Sequence, residues 1–187
     1  MDKAQQAASK RNAGYHAAGM VEDGAVIGLG TGSTVFFAME RLGERIVKDG
    51  LSITGVPTSY QAAIRARQYG IPLSSLDEHP ELDIAIDGAD QADPDLRLIK
   101  GRGAALLREK CVCDAAREVL IVVDPTKIVE TLNAPVPVEV LPFASAPVSR
   151  RLAALGASPA LREGVKKDGP VVTDNGNFIL DCDFGAI

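Results

Sequence analysis

Apolar positions in the first two thirds of the chain fall into short continuous runs that alternate with stretches of helical spacing. Residues 3 to 19 are Ala-rich and read as a helix that stops before the turn signal Asp23-Gly24. Ala25-Val26-Ile27-Gly28-Leu29 is apolar throughout, which marks a buried strand, and it runs into Gly30-Thr31-Gly32-Ser33-Thr34. Val35, Phe36, Met39, Leu42 and Ile46 then recur at helical spacing, with Ser33 or Thr34 as the natural N-cap. A second strand over 51–56 leads through Pro57-Thr58-Ser59 into a helix that Gly70 ends. The third strand, Leu82 to Ile86, runs into Asp87-Gly88-Ala89-Asp90. Leu96 to Ile99 precedes Lys100-Gly101-Arg102-Gly103 and a helix through Lys110; a further strand, Val119 to Val123, ends at Asp124. Apolar strands alternating with helices predict the α/β class: an open, mostly parallel, Rossmann-like sheet with helices on both faces.

From residue 132 the pattern changes. Pro135-Val136-Pro137-Val138-Glu139-Val140 is a Pro-rich extended run that a central parallel strand does not tolerate. Ser145 as N-cap with Pro147 in the first turn opens a helix that Gly156 closes. Val171 to Asp174 and Phe178 to Leu180 flank Asn175-Gly176 as a hairpin. The expected organisation is an α/β catalytic domain over 1–131 and a small α+β domain over 132–187. The second reads as unfinished, because the sequence stops soon after the hairpin.

Composition narrows the function. With 187 residues, of which 46% are hydrophobic, the chain can bury a core. A formal charge of −5 and no Lys/Arg run longer than two argue against a nucleic-acid partner. No apolar stretch approaches the roughly 20 residues of a membrane span, and the polar start has no signal-peptide core, so a cytoplasmic protein is expected. Cys111, Cys113 and Cys182 read as buried, unpaired thiols of a reducing compartment. His16 and His79 read as solvated surface.

In an open α/β sheet, ligands sit beyond the carboxyl ends of the strands, and every polar cluster above falls at such an end. The Gly30 to Thr34 loop can cradle a phosphate with backbone N–H groups and hydroxyls. Gly28-x-Gly30-x-Gly32 lacks the third glycine of the dinucleotide fingerprint, where Ser33 stands, and no Gly-x-x-x-x-Gly-Lys-Ser/Thr occurs. A small phosphorylated ligand therefore fits better than NAD or ATP, a plain tight turn being the alternative. Asp87 and Asp90 bracket Gly88-Ala89, small residues that let a ligand reach backbone and carboxylates together; an Asp-rich turn is the alternative. Lys100 stands where an ammonium can neutralise an oxyanion. Glu109 lies on the next helix, where a solvated face is the competing reading. The set offers carboxylates and a lysine, without a Ser-His or Cys-His nucleophile pair and without a metal-ligand cluster, which suits proton transfer next to a carbonyl.

Four blocks carry a resemblance: Gly28 to Thr34, Asp87-Gly88-Ala89-Asp90, Leu98 to Lys110, and Thr173 to Asp181. In their order and spacing the chain resembles ribose-5-phosphate isomerase, type A. The resemblance implies interconversion of ribose 5-phosphate and ribulose 5-phosphate in the pentose phosphate pathway, with no metal or organic cofactor, by a homo-oligomer, dimer or tetramer. It implies that Glu109 is the general base moving a proton between C2 and C1, that Lys100 stabilises the enediolate oxyanion, and that Asp87 serves ring opening and the sugar hydroxyls beside Asp90. It places Thr31, Gly32, Ser33 and Thr34 and Lys100, Gly101, Arg102 and Gly103 in substrate-binding loops with Gly88 and Ala89, and Lys127 and Lys10 on the phosphate side. Arg102 stands in place of the middle glycine of the family's Lys-Gly-Gly-Gly, and Gln91 where an acidic residue usually follows. The family also continues past the hairpin with a helix and a further strand. An inactive or shortened homologue that only binds sugar phosphate is the competing expectation. A sugar-phosphate-sensing transcription regulator needs an N-terminal helix-turn-helix that the residues before Ala25 do not accommodate, and a coenzyme A transferase needs a longer chain.

Overall fold

The computed structural model describes residues 1–187. The element order is α1 (Lys3–Gly19), β1 (Val26–Leu29), α2 (Ser33–Asp49), β2 (Thr54–Pro57), α3 (Tyr60–Gln68), β3 (Leu82–Asp87), β4 (Gln91–Ala92), β5 (Leu98–Ile99), α4 (Leu106–Asp114), β6 (Ala116–Ile121), β7 (Val136–Val140), α5 (Ser145–Ala154), β8 (Ser158–Leu161) and β9 (Phe178–Asp183). They pack as two units, one of residues 1–89 and 107–127, the other of 90–106 and 128–187. The segment 90–106 thus groups with the second unit, where a single cut after residue 131 would put it with the first.

The first unit is built on a four-stranded, wholly parallel sheet of order β2-β1-β3-β6. Its two faces carry separate apolar clusters, which is why β1 reads as an unbroken apolar run and β3 as a mostly apolar one. One cluster joins Ile27, Leu29, Ile84 and Ile86 to Val35, Met39 and Leu42 of α2 and to Ala17 and Ala18 of α1. The other joins Val56, Leu82 and Ala85 to Val112 of α4. The predicted α/β class and the helices over 3–19 and after Gly32 are observed. Helix α1 starts at a capping box, in which Asp2 Oδ1 accepts from the Gln5 N–H (2.8 Å) and Gln5 Oε1 from the Asp2 N–H (3.0 Å).

Strand β6 begins at Ala116, three residues earlier than expected, and ends at Ile121. It is an edge strand, and its polar Arg117 and Glu118 are exposed, so a search for a continuous apolar run misses its start. The expected hydroxyl cap of α2 is also corrected. Gly32 occupies the N-cap, no side chain caps the helix, and Ser33 and Thr34 lie inside its first turn.

In the second unit β4 and β5 form a short antiparallel pair closed by Asp93, whose Oδ1 accepts the N–H groups of Asp95 (3.1 Å) and Arg97 (2.8 Å). A three-stranded antiparallel sheet of order β7-β9-β8 forms the rest, with a small core of Val140, Ala157, Leu180 and Cys182 against Val148 and Leu152 of α5. Two expectations change here. Ala144, not Ser145, is the N-cap of α5. Residues 171–174 are not a strand, so β9 pairs with β7 and β8 in place of a hairpin arm. The Asn175-Gly176 turn does form, closed by the Thr173 N–H on the Asn177 carbonyl (2.9 Å). Its side chains are drawn into a polar node: Glu139 Oε1 accepts from Thr173 Oγ1 (2.8 Å), Asn175 Nδ2 (3.0 Å) and Asn177 Nδ2 (2.9 Å). Strand β8 is a sheet edge, the position in which Pro159 is tolerated.

Cys182 is buried as expected, whereas Cys111 is exposed; none of the three cysteines forms a disulfide. No helix is long and apolar enough to cross a membrane.

Candidate active site

Parallel pairing puts the ends of β1, β2 and β3 on one edge of the sheet, since Leu29 stands level with Pro57 on one side and Ile86 on the other. The loop after β1 rests directly on the end of β3. The Gly30 N–H donates to the Ile86 carbonyl (2.9 Å), and a Cβ at position 30 would lie 2.2 Å from Asp87 Oδ1 and 2.7 Å from Asp87 Cα. Only glycine fits that approach.

Thr31 does not stand alone in its loop. Its hydroxyl is hydrogen bonded to Thr58 Oγ1 (2.9 Å) and Ser59 Oγ (2.7 Å), which follow β2. Thr58 Oγ1 also donates to the Leu29 carbonyl (3.0 Å), and Ser59 caps α3 by accepting from the Ala62 N–H (3.0 Å). Along the sequence Pro57-Thr58-Ser59 reads only as a helix entry. Its position after the strand adjacent to β1 in a βαβ unit was the available signal. With no side-chain cap on α2, the N–H groups of its first turn present a positive end beside these hydroxyls.

Asp87 is 1% exposed, and its Oδ1 accepts the Gly88 N–H at 2.8 Å. Glu109, in the first turn of α4, is 4% exposed, so the alternative of a solvated helix face is excluded. Burial of a carboxylate is costly unless its surroundings compensate, which makes such a group a candidate for chemistry.

At the end of the β6 segment Asp124 collects a second polar cluster. Its carboxylate accepts from the Thr126 N–H (2.9 Å) and hydroxyl (2.5 Å) and from Gln6 Nε2 (3.3 Å to each oxygen), and Lys10 Nζ stands 3.8 Å from Oδ2. Lys10 is therefore committed to an ion pair, while Lys127 follows on a 3₁₀ turn whose N–H donates to the Asp124 carbonyl (3.0 Å). Burial pushes the Asp124 pKa up, but the Thr126 and Gln6 hydrogen bonds and the Lys10 charge outweigh it, leaving the group below the ordinary carboxylate value. A carboxyl whose folded pKa is lowered stabilises the fold above its unfolded pKa, and that contribution disappears as pH falls through the folded value. Asp124→Asn is accordingly expected to lower Tm at pH 7 by several degrees, with the gap between the two chains closing below about pH 4. An equal gap at both pH values in thermal melts would refute this.

In the second unit the Asp90 carboxylate is tied to the loop after β5. Its Oδ2 accepts the Arg102 N–H (2.8 Å), and its Oδ1 lies 3.6 Å from Arg102 Nε. Lys100 is half-buried at the start of that loop. The left-handed backbone there falls on Gly101 (φ +105°) and Ala104 (φ +62°), not on Arg102, so an arginine in place of glycine meets no conformational penalty. Gln91 binds by both ends of its amide: Oε1 accepts the N–H groups of Asn133 and Ala134 (both 2.9 Å), and Nε2 donates to Asn133 Oδ1 (2.7 Å). A carboxylate could accept there but could not donate. No group of three or more His, Cys, Asp or Glu side chains comes together in a way that could hold a metal ion.

Residues 54–187 match the family model of ribose 5-phosphate isomerase A (phosphoriboisomerase A). A relative from Methanoregula boonei, ribose-5-phosphate isomerase A, is 65% identical over 97% of this chain and 76% of its own length. The chain belongs to the ribose 5-phosphate isomerase A family. Another member, from Thermosynechococcus vestitus, is 60% identical over 91% of this chain and 74% of its own. Solved structures of the family agree in fold. A D-ribose-5-phosphate isomerase in complex with phospho-erythronic acid superposes with a TM-score of 0.92 at 48% identity, over 96% of this chain and 80% of that one. The enzyme from Methanocaldococcus jannaschii gives 0.92 at 44% identity, over 95% and 80%. The sequence resemblance to ribose-5-phosphate isomerase A is thereby confirmed.

Proposed function

We propose that this chain is an aldose-ketose isomerase that interconverts ribose 5-phosphate and ribulose 5-phosphate through an enediolate, as a step of the pentose phosphate pathway. The observation that carries the reading is 65% identity to a ribose-5-phosphate isomerase A across 97% of the chain.

The residue roles are proposals that follow the resemblance and the chemistry of each group. Asp87 assists opening of the sugar ring, exchanging a proton with the ring oxygen or the C1 hydroxyl. Glu109 takes the C2 proton as a carboxylate, leaving an enediolate whose charge spreads over O1 and O2. Lys100 supplies the cation that meets this charge. Glu109 then returns the proton to C1 while the O2 hydroxyl proton passes to O1, so the sugar neither gains nor loses atoms. The burial of Glu109 and Asp87 supports these roles, because a carboxylate withdrawn from water is costly to keep without a task. Thr31, Gly32, Ser33 and Thr34 hold the phosphate at the uncapped start of α2, with Lys127 as a point charge. Asp90, Gly88, Ala89, Gly101, Arg102 and Gly103 contact the sugar, and Lys10 supports the phosphate side. On this reading catalysis rests on groups within residues 1–131, and residues 132–187 form a smaller supporting domain. Three cysteines that form no disulfide support a cytoplasmic location, and the resemblance supports a homo-oligomer, dimer or tetramer.

The test is formation of ribulose 5-phosphate from ribose 5-phosphate by the purified chain, with and without a chelator. Turnover in both arms supports the reading; binding of sugar phosphate without turnover replaces it by the inactive binder. Lys127→Ala is expected to raise KM about tenfold or more with kcat little changed, the cost of one charge-assisted phosphate contact. An unchanged KM in steady-state kinetics removes Lys127 from the phosphate site.

A further inference from the structure

Arg162 is a residue that the chemistry above does not use, and its surroundings are unusual for a residue at the end of an edge strand. Its backbone continues β8, donating to the Ile179 carbonyl (2.9 Å) and accepting from the Val171 N–H (2.8 Å). Its side chain is only 15% exposed. One side of the guanidinium forms a two-pronged pair with Asp181 of β9, Nε donating to Oδ2 (2.8 Å) and Nη2 to Oδ1. The remaining nitrogen, Nη1, donates to two successive carbonyls, those of Gly101 (3.2 Å) and Arg102 (2.9 Å). These carbonyls belong to the loop that begins with Lys100.

Peptide geometry turns this contact into an orienting device. All peptide bonds are trans, so each N–H points opposite to the carbonyl of its own peptide unit. Holding the Gly101 carbonyl sends the Arg102 N–H the other way, where it meets Asp90 Oδ2 at 2.8 Å. Holding the Arg102 carbonyl likewise turns the Gly103 N–H away from Arg162. The Gly101 carbonyl also accepts the Ala104 N–H (3.0 Å), and the two left-handed residues of the turn, Gly101 and Ala104, lie inside the same clamp. A cation grips the loop by its carbonyls and a carboxylate grips it by an N–H. Asp181 in turn neutralises the half-buried guanidinium and fixes its plane.

We propose that Arg162, oriented by Asp181, is a positioning residue for the reaction: it fixes the backbone from which Lys100 projects and directs the Gly103 N–H away from itself as a donor for an anionic substrate oxygen. The inference rests on the isomerase reading, because it assigns Arg162 an effect on that turnover. Arginine is required for geometric reasons. Lysine matches its charge and reach, but a single ammonium cannot hold a carboxylate in two prongs and two carbonyls at once.

The test compares the unmodified full chain with Arg162→Met, Arg162→Lys and Asp181→Asn. Each is assayed for kcat and KM with ribose 5-phosphate, and calorimetric titration with phospho-erythronic acid counts the binding-competent sites. Arg162→Met is expected to lower kcat per competent site ~10- to 100-fold, as misplacement of a catalytic group by about 1 Å does, with KM within about twofold. Arg162→Lys is expected to recover part of that loss, and Asp181→Asn to lower kcat in the same direction by less. A kcat per competent site that stays within about twofold of the unmodified chain overturns the proposal, as does a loss of rate matched by an equal loss of competent sites. If Arg162→Met does not fold, full kcat per site in both Arg162→Lys and Asp181→Asn overturns it equally. Absence of turnover in the unmodified chain is the separate result that overturns the isomerase reading itself.

Discussion

Glu109→Gln is expected to lower kcat by ~10²- to 10⁴-fold, the usual loss when a general base is removed, while the chain still binds sugar phosphate. Moving a proton between adjacent carbons requires one group that accepts it at C2 and releases it at C1. A carboxylate can do both, and glutamine keeps its size and shape but takes no proton. The buried setting of Glu109 near the start of α4 makes the comparison clean, because the amide occupies the same space without introducing an unsolvated charge. Turnover with ribose 5-phosphate, measured beside calorimetric binding of phospho-erythronic acid, separates the two effects. Near-normal turnover would transfer the role of base to Asp87 or Asp90.

Lys100→Ala is expected to cost roughly 3 kcal/mol of transition-state stabilisation, about a hundredfold in kcat, because the enediolate then forms without a preorganised cation. The side chain is half-buried at the head of a loop whose backbone is held by Asp90 and Arg162, so the ammonium needs little rearrangement as charge develops. KM is expected to change much less than kcat, since the oxyanion is a feature of the transition state and not of bound ribose 5-phosphate. Equal changes in the two parameters would make Lys100 a plain substrate-binding group.

Much of this was legible along the chain. Buried parallel strands leave largely apolar runs, so β1 and β3 appear clearly, and the polar residues at their ends are the ones available to a ligand. The edge strands were less visible. Arg117 in β6 and Pro159 in β8 violate the apolar pattern because one side of each strand faces no neighbouring strand. The first-turn position of Ser33 was hidden by a similar competition: its hydroxyl suits an N-cap, but Gly32 takes that place with a backbone φ of +143°. The proposed site residues fall along the same line. Asp87, Lys100 and Glu109 announce themselves through motif and charge, whereas Thr58, Ser59 and Arg162 matter through contacts made at long range in sequence. No local pattern around position 162 signals a partner 60 residues away at the Arg102 carbonyl.

The close seating of Gly30 on Asp87 sets a dimension as well as a contact. Side chains adjust by changing rotamer, but here main chain lies against main chain, and nothing between them can lengthen or shorten. The hydroxyl-bearing loop after β1 and the carboxylate at the end of β3 therefore stand at a spacing written into the sheet itself. A ligand that engages both meets a rigid gauge: one carbon more or fewer between its phosphate and its reacting end must be absorbed by the ligand, since the protein has no slack there to give.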